Sequence, residues 1–84
     1  MAWELAPHRI LVNAIAPGFL PAEEGRALLS RERIRSIIRA HPVGRLGEAG
    51  ELVGTVIWLA SGRASGFVTG AIVRVDGGFS TMSI

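Results

Sequence analysis

The sequence predicts an α/β fold in which two parallel strands are joined by helices. Two runs suit buried strands: an apolar run over residues 9–16 and a β-branched run that ends at residue 76. The residues between them show helical spacing, and strands joined by a helical crossover are normally parallel. Because two parallel strands alone leave both sheet edges unpaired, we expect this pair to belong to a larger sheet.

Size and composition agree with that expectation. A chain of 84 residues forms one domain at most, and a domain this small buries only about 60% of the surface of its unfolded chain. Hydrophobic residues nevertheless make up 49% of the chain, mean hydropathy is +0.40, and there is no cysteine for a disulfide. We therefore expect the apolar surplus to pack into the rest of a larger fold or into an oligomer interface.

The apolar stretches are too short for a membrane-spanning helix. Arg63 separates the stretch 52–62 from the stretch 64–73, so neither reaches the roughly 18 to 20 apolar residues that a spanning helix needs. The first residues, Met1 to Glu4, lack the basic segment and apolar run of a signal peptide. The sequence therefore predicts a soluble, cytoplasmic protein without a membrane partner.

The basic residues are all arginines, and six of the nine lie between residues 26 and 45. Such a cluster is either a phosphate-binding stripe or a solvated helix face. The solvated face is favoured, because no aromatic side chains are interleaved with these arginines for base stacking. No nucleic acid partner is predicted, and no metal site is predicted either.

The first predicted strand, Arg9 to Ala16, is apolar on both faces except at Asn13. A buried polar side chain must find hydrogen-bond partners, and we expect those of Asn13 in the backbone of a neighbouring loop. Pro17 and Gly18 end the strand, because proline has no N–H for the ladder and glycine permits a turn.

The first helical region, Ala22 to Ala40, is predicted to form two helices, with Ser30 capping the second. The spacing of the later residues places Ile34, Ile37 and Ile38 on one face of that second helix and arginines on another.

The second helical region, Glu48 to Ser61, is apolar on more than one side, which indicates burial on two sides. Ala49 and Gly50 are weak starting residues for it, and Gly62 is predicted to end it. A turn at Thr69-Gly70 then leads into the last strand.

Four strings occur in the order and at the spacing of the short-chain dehydrogenase/reductase family, and the chain resembles that family through them. They are Glu4-Leu5-Ala6-Pro7 leading into Ile10-Leu11-Val12-Asn13-Ala14-Ile15-Ala16-Pro17-Gly18, then Pro42-Val43-Gly44-Arg45-Leu46-Gly47-Glu48, Phe67-Val68-Thr69-Gly70 and Val75-Asp76-Gly77-Gly78. The resemblance implies that the two strands are the last two parallel strands of a Rossmann-like doubly wound sheet. Residues 1–84 would then be the C-terminal part of an NAD(P)-binding oxidoreductase domain, and the rest of that domain would be a partner.

The resemblance also implies a cofactor site. In the family, the loop after the first of these strands lies against the nicotinamide of NAD or NADP, which corresponds here to Pro17, Gly18, Phe19 and Leu20. In the family, a backbone N–H two residues after the glycine donates to the nicotinamide carboxamide, and the corresponding N–H here is that of Leu20. A threonine hydroxyl that often contacts the cofactor is missing, because Ala22 stands there.

The segment Phe19 to His41 corresponds to the family's mobile substrate lid, and its amino-acid sequence is similar to that of members acting on sugar acids. Glu23 and Arg26 are the predicted substrate contacts, since a guanidinium fork suits a carboxylate. The alternative for Arg26 is an ordinary surface charge. His41 is predicted to be a helix-end histidine without a chemical role, and Asp76 to shape the chain after the last strand.

Catalytic residues are not predicted in this chain. Hydride transfer in the family uses a tyrosine as general acid/base, a lysine that lowers its pKa and a serine, whereas this chain contains neither Tyr nor Lys. Oxidation or reduction of a small alcohol or carbonyl substrate would then belong to a parent enzyme, and the chain alone is expected to be inactive.

Family members commonly pair through the corresponding helix and last strand, so Leu52 to Ala60 and the last strand predict a homo-oligomer. An alternative from another class stays open, in which the chain folds by itself as a self-associating scaffold without chemistry. Upstream coding sequence for a Gly-rich turn and a Tyr-x-x-x-Lys motif would favour the fragment of an enzyme. A stop codon just before Met1 would favour the scaffold.

Overall fold

The two strands are parallel and paired, as predicted. The computed structural model describes residues 1–81, without the side chain of Glu23. Strand β1 (Ala14–Pro17) pairs with strand β2 (Ile72–Val75) in a two-stranded sheet, with Ala14 opposite Ile72 and Pro17 opposite Val75. Both strands therefore end at the same edge of the sheet.

Strand β1 is shorter than the predicted strand, which was wrong in beginning at Arg9. Helix α1 (Ala2–Leu5) and a 3₁₀ turn (Ala6–His8) come first, and Arg9 has the left-handed φ of 61°. The next residues bond to the turn before β2 instead of to a strand: Val12 N–H donates to Thr69 Oγ1 at 3.1 Å, and Val12 O accepts from Gly70 N–H at 2.7 Å.

Asn13 has the loop-backbone partners that were expected. Its Nδ2 donates to Val68 O and its Oδ1 accepts from Ala71 N–H, both at 3.0 Å. The side chain is half-buried, so these two bonds satisfy its amide where water has little access. One side chain thereby joins the start of β1 to the turn that precedes β2.

The first helical region forms two helices, α2 (Glu23–Ala27) and α3 (Arg31–Arg39). Ser30 caps α3, as predicted, because its Oγ accepts from Arg33 N–H at 3.1 Å. One face of α3 lies beside Pro17 at the end of β1, and the helix ends at Arg39, two residues before His41.

The second helical region begins with a 3₁₀ turn (Ala49–Leu52) and continues as α4 (Val53–Ala60). The 3₁₀ start agrees with the weak starting residues expected there. The helical region ends before Gly62, as predicted, but the residue that ends it is Ser61, and Gly62 begins a further helix, α5 (Gly62–Ser65). Ser61 causes this difference, because its Oγ accepts from Ala64 N–H and so caps the new helix.

Few side chains are buried within this chain. Only Leu46, His41 and Ser65 are buried among the described residues. The accessible surface is 6713 Å², whereas about 4,800 Å² is typical of a folded monomer of this mass. The radius of gyration is 16.1 Å, against about 12 Å for a compact domain of this length. Most of the apolar side chains are thus not buried in a core that this chain forms by itself.

Part of the exposed apolar surface lies on α4, where Val53, Val56 and Ile57 are 53%, 50% and 63% exposed. None of the helices in residues 1–81 has the length and apolar character needed to cross a membrane.

Candidate functional site

The site is built where the two strands end. Gly18 follows β1 and donates its N–H to Val75 O at 2.9 Å. A Cβ added to Gly18 would lie 2.6 Å from Asp76 Cα and 2.7 Å from Asp76 Cβ. Only glycine fits there without a shift of the backbone, so the turns after both strands are packed into one unit.

Asp76 holds the turn after β2. Its Oδ1 accepts from Gly78 N–H at 3.0 Å and its Oδ2 from Ser80 N–H at 3.1 Å. Hydrogen bonding by Ser80 and by the Gly78 N–H lowers the pKa of Asp76. Asp76 is thus an acceptor that shapes the chain after the last strand, as the sequence predicted, and Gly77 and Gly78 supply the left-handed φ values of 61° and 89°.

The predicted cofactor residues, Pro17 to Leu20, are the last residue of β1 and the loop that follows it. Phe19 O accepts from Gly47 N–H at 3.3 Å, and the Leu20 side chain packs directly against Gly47. The loop is therefore held in place by the Phe19 carbonyl and the Leu20 side chain. The Leu20 N–H, which is the predicted donor to the carboxamide, forms no hydrogen bond with the described residues.

Two cavities open beside this loop. The smaller, of about 180 Å³, lies on the side of the Asp76 turn. The larger, here named the lid pocket, has a volume of about 500 Å³, which is within the usual size of ligand sites, roughly 300–1,000 Å³. It is lined by the loop, one face of α3 and the chain after β2: Pro17, Gly18, Phe19, Arg33, Ser36, Ile37, Ala40, His41 and Phe79.

Helix α3 supplies the polar side of the lid pocket. Arg33, Ser36, Ile37 and Ala40 follow one another at the i, i+3, i+4 and i+7 spacing that places residues on one helix face. Arg33 and Ser36 carry the only charged or hydroxyl-bearing side chains among the described residues that α3 contributes to this pocket. The pocket thus combines an apolar wall at the loop with a cation and a hydroxyl on the helix.

His41 closes the end of the lid pocket and is 6% exposed. Its Nδ1 lies 2.6 Å from Ile37 O, so this nitrogen carries the proton and donates to the carbonyl. Its ring lies against Phe79, with 5.3 Å between the ring centroids. The Nε2 atom is buried and finds no hydrogen-bond partner among the described residues. The sequence placed this histidine correctly at a helix end but missed its burial.

Arg26, a predicted substrate contact, does not line the lid pocket. It lines a different cavity of about 340 Å³, here named the outer pocket, together with Ile34, Ile38, Arg45, Leu46 and Glu48. The other predicted substrate contact, Glu23, lies on α2, but its side chain is outside the described part of the chain. The structure therefore brings Pro17, Gly18 and Phe19 together in one pocket and does not add Arg26 to them.

An ion pair stabilises the segment that supports the loop. Arg45 Nη1 and Nη2 donate to the two carboxylate oxygens of Glu51 at 2.7 and 2.8 Å. Glu51 also accepts from Glu48 N–H at 3.1 Å and so caps the 3₁₀ turn. The hydrogen bond from Arg45 and the one from the Glu48 N–H lower the pKa of Glu51 to about 2. The pair lies close to Gly47, whose backbone N–H donates to Phe19 O.

Among the described residues, no group of three or more His, Asp or Glu side chains is placed to hold a metal ion. The whole sequence lacks Tyr and Lys. The arrangement can bind and orient a ligand, but it offers no acid/base pair of the kind that hydride transfer between a nicotinamide and a carbonyl needs.

Residues 1–80 match the family described as enoyl-(acyl carrier protein) reductase. The uncharacterized oxidoreductase UxuB of Bacillus subtilis is 43% identical over 89 residues, covering 99% of this chain and 32% of that protein. A crystal structure of a gluconate 5-dehydrogenase from Burkholderia cenocepacia, in complex with NADP and tartrate, has a TM-score of 0.88 and 37% identity over 99% of this chain and 32% of that one.

A short-chain dehydrogenase from Leptospira borgpetersenii with bound NAD⁺ has a TM-score of 0.82 and 39% identity, covering 94% of this chain and 29% of that one. The chain thus spans about a third of the length of these relatives. The two parallel strands with their helical crossover have the Rossmann-like arrangement of these enzymes. The chain belongs to the short-chain dehydrogenase/reductase family of oxidoreductases.

Proposed function

We propose that residues 1–84 are the C-terminal part of an NAD(P)-binding oxidoreductase domain, in which they provide the nicotinamide-side loop, the substrate lid and a subunit interface. The parent enzyme transfers hydride between the nicotinamide and an alcohol or carbonyl substrate, and a sugar acid is the substrate class we favour. The observation that carries the proposal is the loop Pro17–Leu20, packed through Gly18 onto Asp76 and open to the lid pocket. Ligands of open α/β sheets bind at this edge, beyond the carboxyl ends of the strands.

The residues of the loop fit the nicotinamide end of the cofactor. Pro17 and Phe19 offer an apolar wall to a planar ring, and the Leu20 N–H is a donor that no other described group occupies. When bound, the cofactor supplies the hydride, and this chain orients the ring and excludes water from one side of it. Ala22 has no hydroxyl to add a contact. Binding of the pyrophosphate is assigned to further polypeptide.

The lid in this proposal is the segment Phe19 to His41, which contains α2 and α3. Glu23 and Arg26 remain predicted substrate contacts on α2. Since Arg26 lines the outer pocket in this conformation, its contact with a substrate beside Pro17 requires α2 to move toward the loop. Sugar acids are supported by the gluconate 5-dehydrogenase whose structure is similar over 99% of this chain.

Two observations support the assignment of catalysis to further polypeptide. The chain lacks Tyr and Lys, and only three of its described residues are buried. The exposed apolar face of α4 is a surface that needs a partner, and we assign it to a second copy of the parent protein, which would pair through Leu52–Ala60 and β2. We expect the 84-residue chain by itself to be inactive.

The test uses the gene product as the native cell makes it, whatever its length, here termed the natural polypeptide. Its intact mass and reading frame are determined, and oxidation of NADH and NADPH is followed with 5-keto-D-gluconate and with acetoacetyl thioesters as carbonyl substrates. We expect turnover with at least one keto acid by the natural polypeptide and none by the isolated 84-residue chain. Turnover by the isolated chain would contradict the assignment of catalysis to further polypeptide. A natural polypeptide that binds neither nucleotide would overturn the oxidoreductase proposal itself.

The interface is tested separately by light scattering. Ile57→Glu places a charge in the centre of the exposed face of α4 and should convert the oligomer to a monomer. Arg63→Glu, a charge change on α5 outside that face, is the control. An unchanged mass for the Ile57 variant would contradict the assigned interface while leaving the cofactor site untouched.

A further inference from the structure

The two pockets beside α3 differ in charge. The lid pocket contains Arg33 and no acidic side chain among the described residues that line it. The outer pocket contains the carboxylate of Glu48 beside Arg26 and Arg45, and Arg45 is already paired with Glu51 at 2.7 Å. An anion in the outer pocket therefore meets Arg26 together with the carboxylate of Glu48, which repels it, and an Arg45 that is already paired. An anion in the lid pocket meets Arg33 with no carboxylate among the described lining residues.

The guanidinium of Arg33 is the cation that an anion in the lid pocket would meet. Arg33 forms no ion pair with the described acidic residues, and its backbone N–H is held by the Ser30 cap at 3.1 Å. Because the cap sits at the first turn of α3, the base of the Arg33 side chain is fixed relative to the helix. Ser36 lies one turn further on the same face, so a cation and a hydroxyl are presented side by side to the pocket.

The far wall of the same pocket is the loop predicted to contact the nicotinamide, Pro17 to Phe19. A ligand whose charged end is held at α3 has its other end directed toward that loop. The size of the pocket, about 500 Å³, leaves room for a small ligand to span the two walls.

We propose that Arg33, rather than Arg26, binds the carboxylate of an anionic, hydroxylated substrate in the lid pocket, and that Ser36 Oγ bonds to one of its hydroxyl groups. This inference rests on the proposed function and specifies which residues select the substrate. Binding by the guanidinium fork holds the carboxylate through two parallel hydrogen bonds, and the carbon that reacts then lies on the side of Pro17 and Gly18.

The experiment is calorimetric titration of the natural polypeptide, saturated with NAD⁺ or NADP⁺, with two probes. D-Gluconate carries the carboxylate, and D-glucitol has a hydroxymethyl group in its place. Arg33→Gln is expected to weaken gluconate binding about ten- to a hundredfold, the loss of a charge-assisted contact, and to change glucitol binding by less than about threefold. Arg33→Lys keeps the charge without the fork and should give an intermediate loss for gluconate.

The neighbouring arginines supply a control and a comparison. Arg35→Gln, on the same helix but outside both pockets, is the control and should bind gluconate as the unsubstituted protein does. Arg26→Gln removes the other candidate contact and should weaken gluconate binding less than Arg33→Gln does; glutamine preserves the helix propensity at each position.

The inference is overturned if Arg26→Gln weakens gluconate binding as much as Arg33→Gln, if Arg33→Gln affects both probes equally, or if gluconate binding is unchanged. It is also overturned if the unsubstituted protein binds nucleotide but not gluconate, a result that leaves the proposed oxidoreductase function standing. Absence of nucleotide binding would remove the proposed function as well.

Discussion

Gly18 and Asp76 lie so close together at the carboxyl ends of β1 and β2 that no side chain fits between them. A Cβ on Gly18 would fall 2.6 Å from Asp76 Cα. Asp76 cannot move aside easily, because its carboxylate accepts from Gly78 N–H and Ser80 N–H, and Val75 O accepts from Gly18 N–H at 2.9 Å. The loop that is proposed to face the nicotinamide therefore takes its position from the turn after the last strand.

Gly18→Ala should push this loop away from β2. Because the clash is with backbone, we expect a loss of about 1–3 kcal/mol in the free energy of unfolding of the natural polypeptide, measured in urea. Nucleotide affinity should fall with it. Gly25→Ala is the matched control, since a Cβ there meets nothing within 4 Å, and alanine is favoured over glycine in a helix by about 0.5–1 kcal/mol. Equal stability of the two variants would contradict the close packing of Gly18 on Asp76.

Local signals in the sequence were sufficient to predict the caps and polar partners. Ser30 is followed by a helix, and Asn13 interrupts an apolar run, so each reveals its role through its immediate neighbours. Both roles are confirmed by hydrogen bonds of 3.0–3.1 Å. The length of β1 was not predictable in the same way, because the turn before β2, distant in sequence, takes the bonds of Val12.

The composition of the lid pocket could not be derived from periodicity. Spacing assigns Ile34, Ile37 and Ile38 to one face of α3, but the structure divides them between pockets: Ile37 lines the lid pocket, whereas Ile34 and Ile38 line the outer pocket. A helical wheel gives the angle between residues and not the neighbours that the helix meets. The sequence does not distinguish Arg33 from the other arginines, because that distinction depends on the position of the loop Pro17 to Phe19.

Asn13→Ala should destabilise the junction between β1 and the turn before β2. The change leaves Val68 O and the Ala71 N–H without the partners they have at 3.0 Å, and half-buried polar groups left unsatisfied cost about 1–3 kcal/mol. The measurements are the free energy of unfolding and hydrogen exchange of the Ala71 amide. Thr69→Ser retains the hydroxyl that accepts from Val12 N–H and serves as the control. Unchanged protection of Ala71 in the Asn13 variant would contradict the assigned role.

Glu51 should make stability depend on pH in acid. Its pKa is lowered to about 2 from an ordinary value of 4.5, so the folded state favours the charged form. The stabilising contribution is present above the ordinary pKa and is lost as the pH falls toward the lowered one. Glu51→Gln keeps an oxygen for the Glu48 N–H but cannot pair as an anion with Arg45.

The urea midpoints of the unsubstituted protein and of Glu51→Gln should differ at neutral pH and converge between about pH 4.5 and 2. Because the pair is partly exposed, added salt should reduce the difference. Glu24→Gln removes a carboxylate without an ion-pair partner among the described residues and should follow the unsubstituted protein throughout. A constant difference between the Glu51 variant and the unsubstituted protein at all pH values would refute the ion-pair explanation.

His41 should contribute through its ring more than through its nitrogens. Its Nδ1–H donates to Ile37 O at 2.6 Å, whereas its buried Nε2 has no partner among the described residues. His41→Phe gives up one hydrogen bond, worth about 1 kcal/mol, and also removes an unsatisfied polar atom of comparable cost, so the free energy of unfolding should change by less than about 1 kcal/mol. His41→Ala removes the ring from Phe79 and should cost about 3 kcal/mol or more. If His41→Phe is as damaging as His41→Ala, then Nε2 has a polar partner in the natural polypeptide, and the end of the lid pocket is held by a hydrogen bond instead of by aromatic packing.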